Sequence, residues 1–325
     1  MSLSNLTSEL RDKLRDRFGA KLQFEEPLAR YTSARIGGPA EALISVRSAD
    51  ELAHAARELW GLGLGFRIIG GGSNILIADE GIRGVVLLNR AREVRFLQEG
   101  KERFAVTESG AVLGTVARLA AERGWGGLEW AATVPGTVGG AVVGNAGAHG
   151  GDMAHSITMA EILQHEGQVE SWPLKRLDFG YRTSALKGKQ ERFVVLSATF
   201  TFDLSTPEAC KQKMHAFSVE RERTQPAGAS MGSMFKNPPG DYAGRLIEAA
   251  GLKGLEIGGV KISEKHANFF INEGRGQAAD VYKLIATAQQ AVQKAFGTEL
   301  ELEIELVGEW PEARERELSN NGAAR

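Results

Sequence analysis

Three glycines directly after an apolar segment constrain this chain most. FRII at 66–69 predicts a strand, and GGGSN follows it at Gly70, Gly71, Gly72, Ser73 and Asn74. Successive backbone N–H groups beside a hydroxyl are suited to binding a phosphate. A tight turn is the simpler interpretation, although a turn does not need three consecutive glycines. The Rossmann and P-loop patterns are both absent, so the anion site that we predict has another architecture.

A second glycine-rich segment spans 124–151 and shows no sustained helical or strand period. With 40 glycines among 325 residues, the chain holds well above the usual share. We predict a long ordered loop here, whose main chain lies against a flat or extended ligand. The residues that suit such contact are Pro135, Gly136, Thr137, Gly139, Gly140, Asn145 and Gly147. A glycine-rich packing crossover is the alternative, and Gly140 with Gly144 matches a helix-contact motif of membrane proteins.

The hydrophobic pattern predicts alternating helices and strands. An amphipathic helix with cap candidates Ser4 and Asn5 ends at Gly19, and Ser48 with Glu51 predicts a capping box. Further predicted helices occupy 49–60, 112–123, the segment after Thr206, 241–250 and 278–296. Predicted strands occupy 40–46, 66–69, a hairpin around Glu99-Gly100, 156–164, 168–174, 192–203 and an alternating strand at 300–308. The predicted domain boundary lies at residue 205.

Composition excludes several functional classes. Lys+Arg number 39 against 41 Asp+Glu, so a large basic surface for nucleic acid is not expected. No apolar run is long enough to span a membrane. A signal peptide needs an uninterrupted apolar segment, but acidic residues interrupt the apolar residues near the N-terminus. The only cysteine, Cys210, excludes an intrachain disulfide and a thiolate zinc cluster. These features predict a cytoplasmic protein.

Catalytic candidates are individually weak. The six histidines lack metal-ligand spacing, which predicts no metal site, and no nucleophile elbow is present. Ser233 stands in a glycine-flanked loop beside Lys236 and Asn237, but a turn hydroxyl explains it equally well. Arg182 fits a surface arginine, and Glu303 fits a solvent-facing carboxylate on the alternating strand.

Seven segments together resemble the flavoenzyme family of the UDP-N-acetylenolpyruvoylglucosamine reductases of bacterial cell-wall synthesis. The segments are YTSARIGGPA (31–40), IIGGGSNILIAD (68–79), VPGTVGGAVVGNAGAHG (134–150), GYRTSALKG (180–188), GSMFKNP (232–238), AGRLIEAAGLKGLEIGGVKISEKHANFFIN (243–272) and LELEIELVG (300–308). They stand in the family's order and extend over most of the chain.

The resemblance implies an α+β protein with a two-subdomain FAD-binding fold of the vanillyl-alcohol-oxidase type, followed by a C-terminal α+β substrate domain. It divides the chain into an N-terminal helix (1–19), FAD-binding subdomains (20–89 and 90–204), a substrate-binding domain (205–310) and a charged tail (311–325). Non-covalent FAD would lie on the two glycine-rich segments. Neither an obligate protein partner nor contact with a membrane or nucleic acid is expected.

The resemblance also implies a reaction in two halves. NADPH reduces FAD, and the enolpyruvyl ether of UDP-N-acetylglucosamine then receives a hydride at its vinyl terminal carbon. A proton at the carbon that bears the carboxylate completes UDP-N-acetylmuramate. By motif position Ser233 is the proton donor, while Arg182 and Glu303 stabilise the carboxylate side.

Several assignments within this resemblance are less specific. Glu303 is chosen over Glu301 because the family's glutamate lies five residues before the closing glycine, Gly308, and its pKa is expected to be raised in the closed site. Substrate-binding candidates are Tyr181, Lys236, Asn237, Lys265 and His266. The chain resembles the shorter type that lacks a tyrosine-loop insert, and Thr224 replaces a lysine of some relatives.

Two alternative functions stay open at this stage. One is another FAD-dependent oxidoreductase of the same fold, for which His149 is the nearest candidate for a covalent flavin link. The other is a non-catalytic nucleotide-binding protein, which would explain the glycine segments but not a shared purpose for Arg182, Ser233 and Glu303.

Overall fold

A computed structural model describes residues 5–189 and 191–310. Its helices are α1 Ser8–Phe18, α2 Ala49–Gly61, α3 Leu113–Glu122, α4 Val138–Gly144, α5 Leu174–Leu177, α6 Pro207–Thr224, α7 Ala243–Ala249 and α8 Ala278–Phe296. Its strands are β1 Leu22–Pro27, β2 Pro39–Val46, β3 Phe66–Ile69, β4 Ile75–Ile77, β5 Ile82–Asn89, β6 Val94–Glu99, β7 Glu102–Glu108, β8 Trp125–Gly126, β9 Gly147–Ala148, β10 Gly151–Asp152, β11 Ile157–Gln164, β12 Val169–Pro173, β13 Phe193–Thr201, β14 Asp203–Leu204, β15 Glu256–Ile257, β16 Val260–Ile262, β17 Phe270–Asn272 and β18 Glu305–Val307.

The described chain divides into two compact units, each built from separate stretches of sequence. The first comprises 5–24, 42–73 and 84–227, and the second comprises 25–41, 74–83 and 228–310. The predicted division at 205 therefore differs from these units, because α6 lies in the first. Burial of Cys210 on α6 and the ion pair of Lys213 with Glu129 are contacts that α6 makes there. The division into five functional segments that the resemblance implies stays a prediction.

The first unit contains a five-stranded antiparallel sheet in the order β12-β11-β13-β7-β6. The predicted hairpin is confirmed: β6 and β7 pair around Gly100, whose φ of +59° suits glycine. Aromatic and aliphatic side chains of β11 and β13 share a core with α3 and α4. A separate core cluster joins α1 and α2 to strand residues such as Ile44 and Leu87.

Local signals set the ends of several helices. Ser48 Oγ accepts a hydrogen bond from the Glu51 N–H (3.1 Å), as predicted, but the Glu51 carboxylate accepts from the Arg47 N–H and not from that of Ser48. Helix α1 is capped by neither predicted residue: Thr7 is its N-cap, and Thr7 Oγ1 accepts a hydrogen bond from the Leu10 N–H (3.3 Å). Of the two candidates, Ser4 lies outside the described residues. The predicted C-terminal glycine of α8 is confirmed, since Gly297 is left-handed.

The second unit packs α7 and α8 against a three-stranded sheet in the order β15-β16-β17. Strand β18 pairs with β4 in parallel, and Glu305 stands opposite Ile75. The Asp79 carboxylate accepts hydrogen bonds from the N–H groups of Ala278 and Ala279 (2.8 and 2.9 Å) at the start of α8. A residue from the 74–83 stretch thus caps a helix that begins about 200 positions later.

Two further differences from the predictions concern the strand at 300–308 and the end of α8. The alternating strand 300–308 is shorter than predicted, because only Glu305–Val307 pair as a strand and Glu303 lies in a bend. The helical period of the predicted helix 278–296 places Phe296 on the apolar face, but Phe296 is 41% exposed. The predicted charged tail after Trp310 lies outside the described residues. None of the described helices combines the length and apolarity needed to cross a bilayer.

Candidate active site

The two glycine-rich segments contact each other within the first unit. A Cβ on Gly71 would lie 3.1 Å from Gly136 Cα, and a Cβ on Gly136 would lie 2.7 Å from Ser73 Oγ. A Cβ on Gly70 would overlap the buried Thr137 hydroxyl. Gly72 and Gly136 have φ values of +57° and +110°. Glycine is therefore needed here for backbone-to-backbone packing, in addition to any ligand.

The second segment is not the long loop that we predicted, because helix α4 lies in its centre. Val138, Ala141 and Val142 of α4 are buried at helical spacing. The Gly139 N–H donates to the Ser109 carbonyl at 2.7 Å, and a Cβ on Gly139 would lie 3.0 Å from Ser109 Cβ. Gly139 thus permits close packing of α4, whereas Gly140 is exposed.

Asn145, a predicted cofactor-binding residue, ends α4 in the left-handed conformation. Its Nδ2 donates to the Gly180 carbonyl (2.9 Å), and its Oδ1 accepts from the Ala154 N–H (3.1 Å). The buried amide therefore connects α4 to the turn that carries Tyr181 and Arg182. Sequence reasoning did not identify this structural role, for which the left-handed tendency of Asn was the only local signal.

Arg182 lies at the tip of a two-residue turn closed by hydrogen bonds between Gly180 and Thr183. Its φ is +56°, and its Nη1 donates to the carbonyl of Gly147 at 3.1 Å. The guanidinium also lies 5.5 Å from the ring centroid of Tyr181, which is 59% exposed. The structure thus brings together Arg182, Tyr181, Asn145 and Gly147 from the predicted set.

The geometry of these segments fits the FAD that the resemblance implies. Main chain without side chains is exposed at Gly71 and Gly140, so an extended ligand has access to backbone there. The hydroxyl of Thr133 is buried and has no hydrogen-bond partner among the described residues, which leaves a donor for a ligand atom. The ring of His149, the candidate for a covalent flavin link, stacks on the ring of Phe217 with 4.4 Å between the centroids. Burial is the main cause that lowers the pKa of His149, and the charge of Arg221 lowers it further.

Ser233 and Glu303 lie close together along the backbone of the second unit. Met234, which follows Ser233, donates its N–H to the Asn268 carbonyl (2.8 Å) and accepts from the Glu303 N–H (2.9 Å). A bridge between Phe235 and Leu302 continues this antiparallel pairing. Ser233 itself is half-buried. The predicted proton donor therefore lies one residue before a carbonyl that is hydrogen-bonded to the predicted glutamate.

Asn268 fixes this pairing, although the sequence analysis did not select it. Its buried side chain accepts from the Phe235 N–H (2.9 Å) and donates to the Phe235 carbonyl (2.8 Å). Asn268 stands within the KHANFFIN part of the resembling segment, which was the only available signal. The oxygen and the nitrogen of its amide both hold the segment after Ser233 in place.

The substrate-binding candidates of the second unit have mixed environments. Lys236 Nζ pairs with Glu301, so Glu301 serves as a partner for lysine. Asn237 Oδ1 accepts from the Ala243 N–H (3.1 Å) at the start of α7. His266 Nδ1 accepts from the Asn268 N–H (3.2 Å), and burial lowers the pKa of the imidazole. Lys265 is exposed. No cluster of metal-binding side chains occurs within 5–189 or 191–310.

Family comparisons cover both units. A model of the FAD-binding domain matches residues 40–172, which include both glycine-rich segments. A model of the C-terminal domain of UDP-N-acetylenolpyruvoylglucosamine reductase matches residues 224–307, which include Ser233 and Glu303. Arg182 lies outside both matched ranges.

Whole-chain comparisons find enzymes with this same name. The UDP-N-acetylenolpyruvoylglucosamine reductase of Moorella thermoacetica is 41% identical over 313 residues, covering 95% of this chain and 99% of the relative. That of Bacillus subtilis is 39% identical over 300 residues, covering 91% and 97%. The crystal structure of the Thermus caldophilus reductase superposes with a TM-score of 0.74 at 34% identity, covering 88% of this chain and 98% of that one. The predicted α+β FAD-binding fold with a C-terminal domain is confirmed.

Proposed function

The chain belongs to the UDP-N-acetylenolpyruvoylglucosamine reductase family, and we propose that Arg182, Ser233 and Glu303 carry its chemistry. The protein is an FAD-dependent oxidoreductase of peptidoglycan precursor synthesis. It uses NADPH to reduce the enolpyruvyl group of UDP-N-acetylenolpyruvoylglucosamine, which gives UDP-N-acetylmuramate. The cytoplasm is its proposed location.

The glycine-rich segments are the proposed FAD site. Bound FAD supplies the hydride that reduces the enolpyruvyl double bond. Backbone at Gly70–Ser73 would hold the pyrophosphate, because glycine leaves N–H groups accessible to anionic oxygens. Pro135–Gly140 would lie beside it, supported by the contact between Gly71 and Gly136. Asn145 and Gly147 would act indirectly, because their hydrogen bonds to Gly180 and Arg182 hold the turn that carries Arg182.

Arg182 is proposed to bind the substrate carboxylate. Hydride addition to the vinyl terminal carbon leaves negative charge on the carbon that bears this carboxylate, so a fixed positive charge there lowers the barrier. A planar guanidinium can donate two parallel hydrogen bonds to a carboxylate. The bond from Arg182 Nη1 to Gly147 and the strained turn restrict the directions in which the guanidinium can point.

Ser233 is proposed to donate the proton, with Glu303 beside the developing charge. The observation that carries this assignment is the hydrogen bond from the Glu303 N–H to the Met234 carbonyl, one residue after Ser233. A carboxyl group near a carboxylate helps only when it is protonated, so we expect a raised pKa for Glu303 in the substrate complex.

The remaining candidates are proposed to bind the rest of the substrate. Lys236 and Lys265 provide positive charge for the diphosphate, and Tyr181 provides an exposed ring beside Arg182. Asn237 and His266 already accept hydrogen bonds from the N–H groups of Ala243 and Asn268, so their proposed contacts use the remaining donor groups.

The test separates the two half-reactions in Ser233→Ala. Flavin reduction by NADPH does not need a proton at the substrate carbon, so that half should keep its rate. Reoxidation by the enolpyruvyl substrate should slow by roughly 10²–10⁴-fold, as expected for a lost general acid. Stopped-flow flavin absorbance measures both, with Ser230→Ala as the control in the same loop. Equal slowing of both halves would make Ser233 a loop-positioning residue, and no slowing of either would reject the assignment.

A further inference from the structure

We propose that Asn74 is a positioning residue for Glu303. Its side-chain amide Nδ2 donates a hydrogen bond to the Glu303 carbonyl at 3.1 Å. Asn74 ends the GGGSN motif, from which the sequence analysis predicted a cofactor contact. The proposal rests on the role proposed above for Glu303, and it assigns one N–H of the Asn74 amide to the backbone of that glutamate.

Glu303 needs such support because it lies outside regular secondary structure. It occupies a bend between the bridge at Leu302 and strand β18, which begins at Glu305. A bend residue lacks the regular ladder that fixes the direction of a side chain in a strand. The peptide groups of Glu303 are instead held individually: its N–H donates to Met234 and its carbonyl accepts from Asn74.

Asn74 is itself fixed in place by the neighbouring sheet. Its carbonyl accepts from the Glu305 N–H at 3.0 Å, and β4 starts at the next residue, paired in parallel with β18. The backbone of Asn74 is therefore anchored to β18, while its short side chain reaches back to the carbonyl two residues before Glu305. The two bonds together hold the backbone from Glu303 to Glu305 against Asn74, while Met234 holds the Glu303 N–H.

The chemistry of the bond requires an amide donor. Nδ2 carries two protons, and the one that it donates to the Glu303 carbonyl is not available to a phosphate oxygen. Aspartate has the same size but its carboxylate only accepts, so it would repel the carbonyl. Alanine removes the bond without adding charge. Asn74→Ala and Asn74→Asp therefore test the donor separately from the space that the side chain fills.

The experiment measures both half-reactions and FAD affinity in the holoenzyme. A single neutral hydrogen bond corresponds to a rate effect of about 3- to 10-fold. We expect Asn74→Ala to slow flavin reoxidation by the enolpyruvyl substrate by this factor, and Asn74→Asp to slow it at least as much. Flavin reduction by NADPH and the Kd for FAD should be unchanged. Gln289→Ala is the matched control, because Gln289 Nε2 donates to the carbonyl of Leu300 (2.9 Å) in the same segment.

Double variants with Glu303→Ala distinguish the possible outcomes. If Asn74 acts through Glu303, Asn74→Ala should add no further slowing when Glu303 is already alanine. Additive slowing would overturn the positioning role, as would full-rate reoxidation in Asn74→Ala beside a slow Glu303→Ala. Weaker FAD binding with slower reduction would return Asn74 to the cofactor site. Normal reoxidation in Glu303→Ala alone would instead reject the proposed function of Glu303.

Discussion

At the scale of single residues, Arg182 has a positive φ, which is a costly backbone conformation for a residue with a Cβ. Its φ of +56° costs on the order of 1 kcal/mol relative to the right-handed region. The surrounding contacts hold it there: Arg182 donates to Gly147, and Lys187 Nζ donates to the Arg182 carbonyl at 2.6 Å. Strain that several contacts maintain is typical of functional sites. The strained turn therefore supports a functional arginine over a surface one.

Replacing Arg182 by lysine tests whether the planar group matters. Lysine keeps the charge but cannot donate two parallel hydrogen bonds. We expect kcat/KM for the enolpyruvyl substrate to fall about 10- to 100-fold, which corresponds to losing one charge-assisted bond. Steady-state kinetics measures this, with Arg123→Lys as a control, because the Arg123 guanidinium donates to the Leu119 carbonyl and lies over the Phe96 ring. Full activity in Arg182→Lys would remove Arg182 from the catalytic set.

The contact between the glycine segments predicts a second residue-scale effect. A valine at position 71 would press on Gly136, since even its Cβ would lie only 3.1 Å from the Gly136 Cα. The segments would have to separate, so we expect FAD to bind at least about tenfold more weakly. Fluorescence titration of the apoprotein measures the Kd. Gly61→Val is the control, because a Cβ there meets no atom within 4 Å. An unchanged Kd in Gly71→Val would contradict the proposed pyrophosphate site.

At the scale of elements, the sequence predicted those whose signals are local. Periodic apolar residues and a terminal glycine define α8, and alternation with a central glycine defines the β6–β7 hairpin. Helix α4 was missed because glycines at 139, 140 and 144 interrupt its apolar pattern, although Val138, Ala141 and Val142 keep helical spacing. The strand predicted at 300–308 is too long, because the alternation of apolar and acidic residues continues through Glu303 whereas regular strand pairing covers only Glu305–Val307.

The segment around His266 makes the stability of the second unit dependent on pH. Burial is the main cause that lowers the pKa of His266, Lys253 also lowers it, and Glu248 opposes the shift. Because the folded-state pKa lies below the unfolded value near 6.5, the neutral form is favoured on folding. The stability that depends on neutral His266 is fully present above pH 6.5 and is lost as the pH falls through the lower folded-state pKa.

The variant His266→Asn should remove this dependence. Asparagine retains an acceptor for the Asn268 N–H but does not ionise in this range. We expect the thermal midpoint of the natural chain to fall more steeply than that of the variant as the pH decreases from 7 to 5. Thermal unfolding followed by circular dichroism measures both slopes. His149 also has a lowered pKa, so His149→Asn is the comparison that separates the two imidazoles. Parallel slopes in the natural chain and His266→Asn would contradict the assignment.

At the scale of the whole molecule, the second unit could not be predicted from local patterns. Its core combines Ile36 and Leu76 with residues such as Met234 and Leu300, which are far apart in sequence. Hydrophobic patterning shows that each of these residues is buried but not against which partner. The catalytic candidates were identifiable because the family motifs are specific. Asn74, Asn145 and Asn268 donate side-chain hydrogen bonds to carbonyls 229, 35 and 33 positions away, and no hydrophobic period indicates these partners.

This discontinuous construction predicts that residues 205–310, the substrate-binding domain expected from the sequence, do not fold alone. The fragment lacks β4, the pairing partner of β18, and it lacks Asp79, which caps α8. It also lacks Leu76, so part of the core would face water. Removing a buried leucine side chain alone costs about 2–5 kcal/mol, a large share of the 5–15 kcal/mol that typically stabilises a domain. We therefore expect the purified fragment to show no cooperative thermal transition and poor amide dispersion by NMR, under conditions where the full chain unfolds cooperatively. A well-dispersed, cooperatively unfolding fragment would show instead that the stretches 25–41 and 74–83 are dispensable for this core.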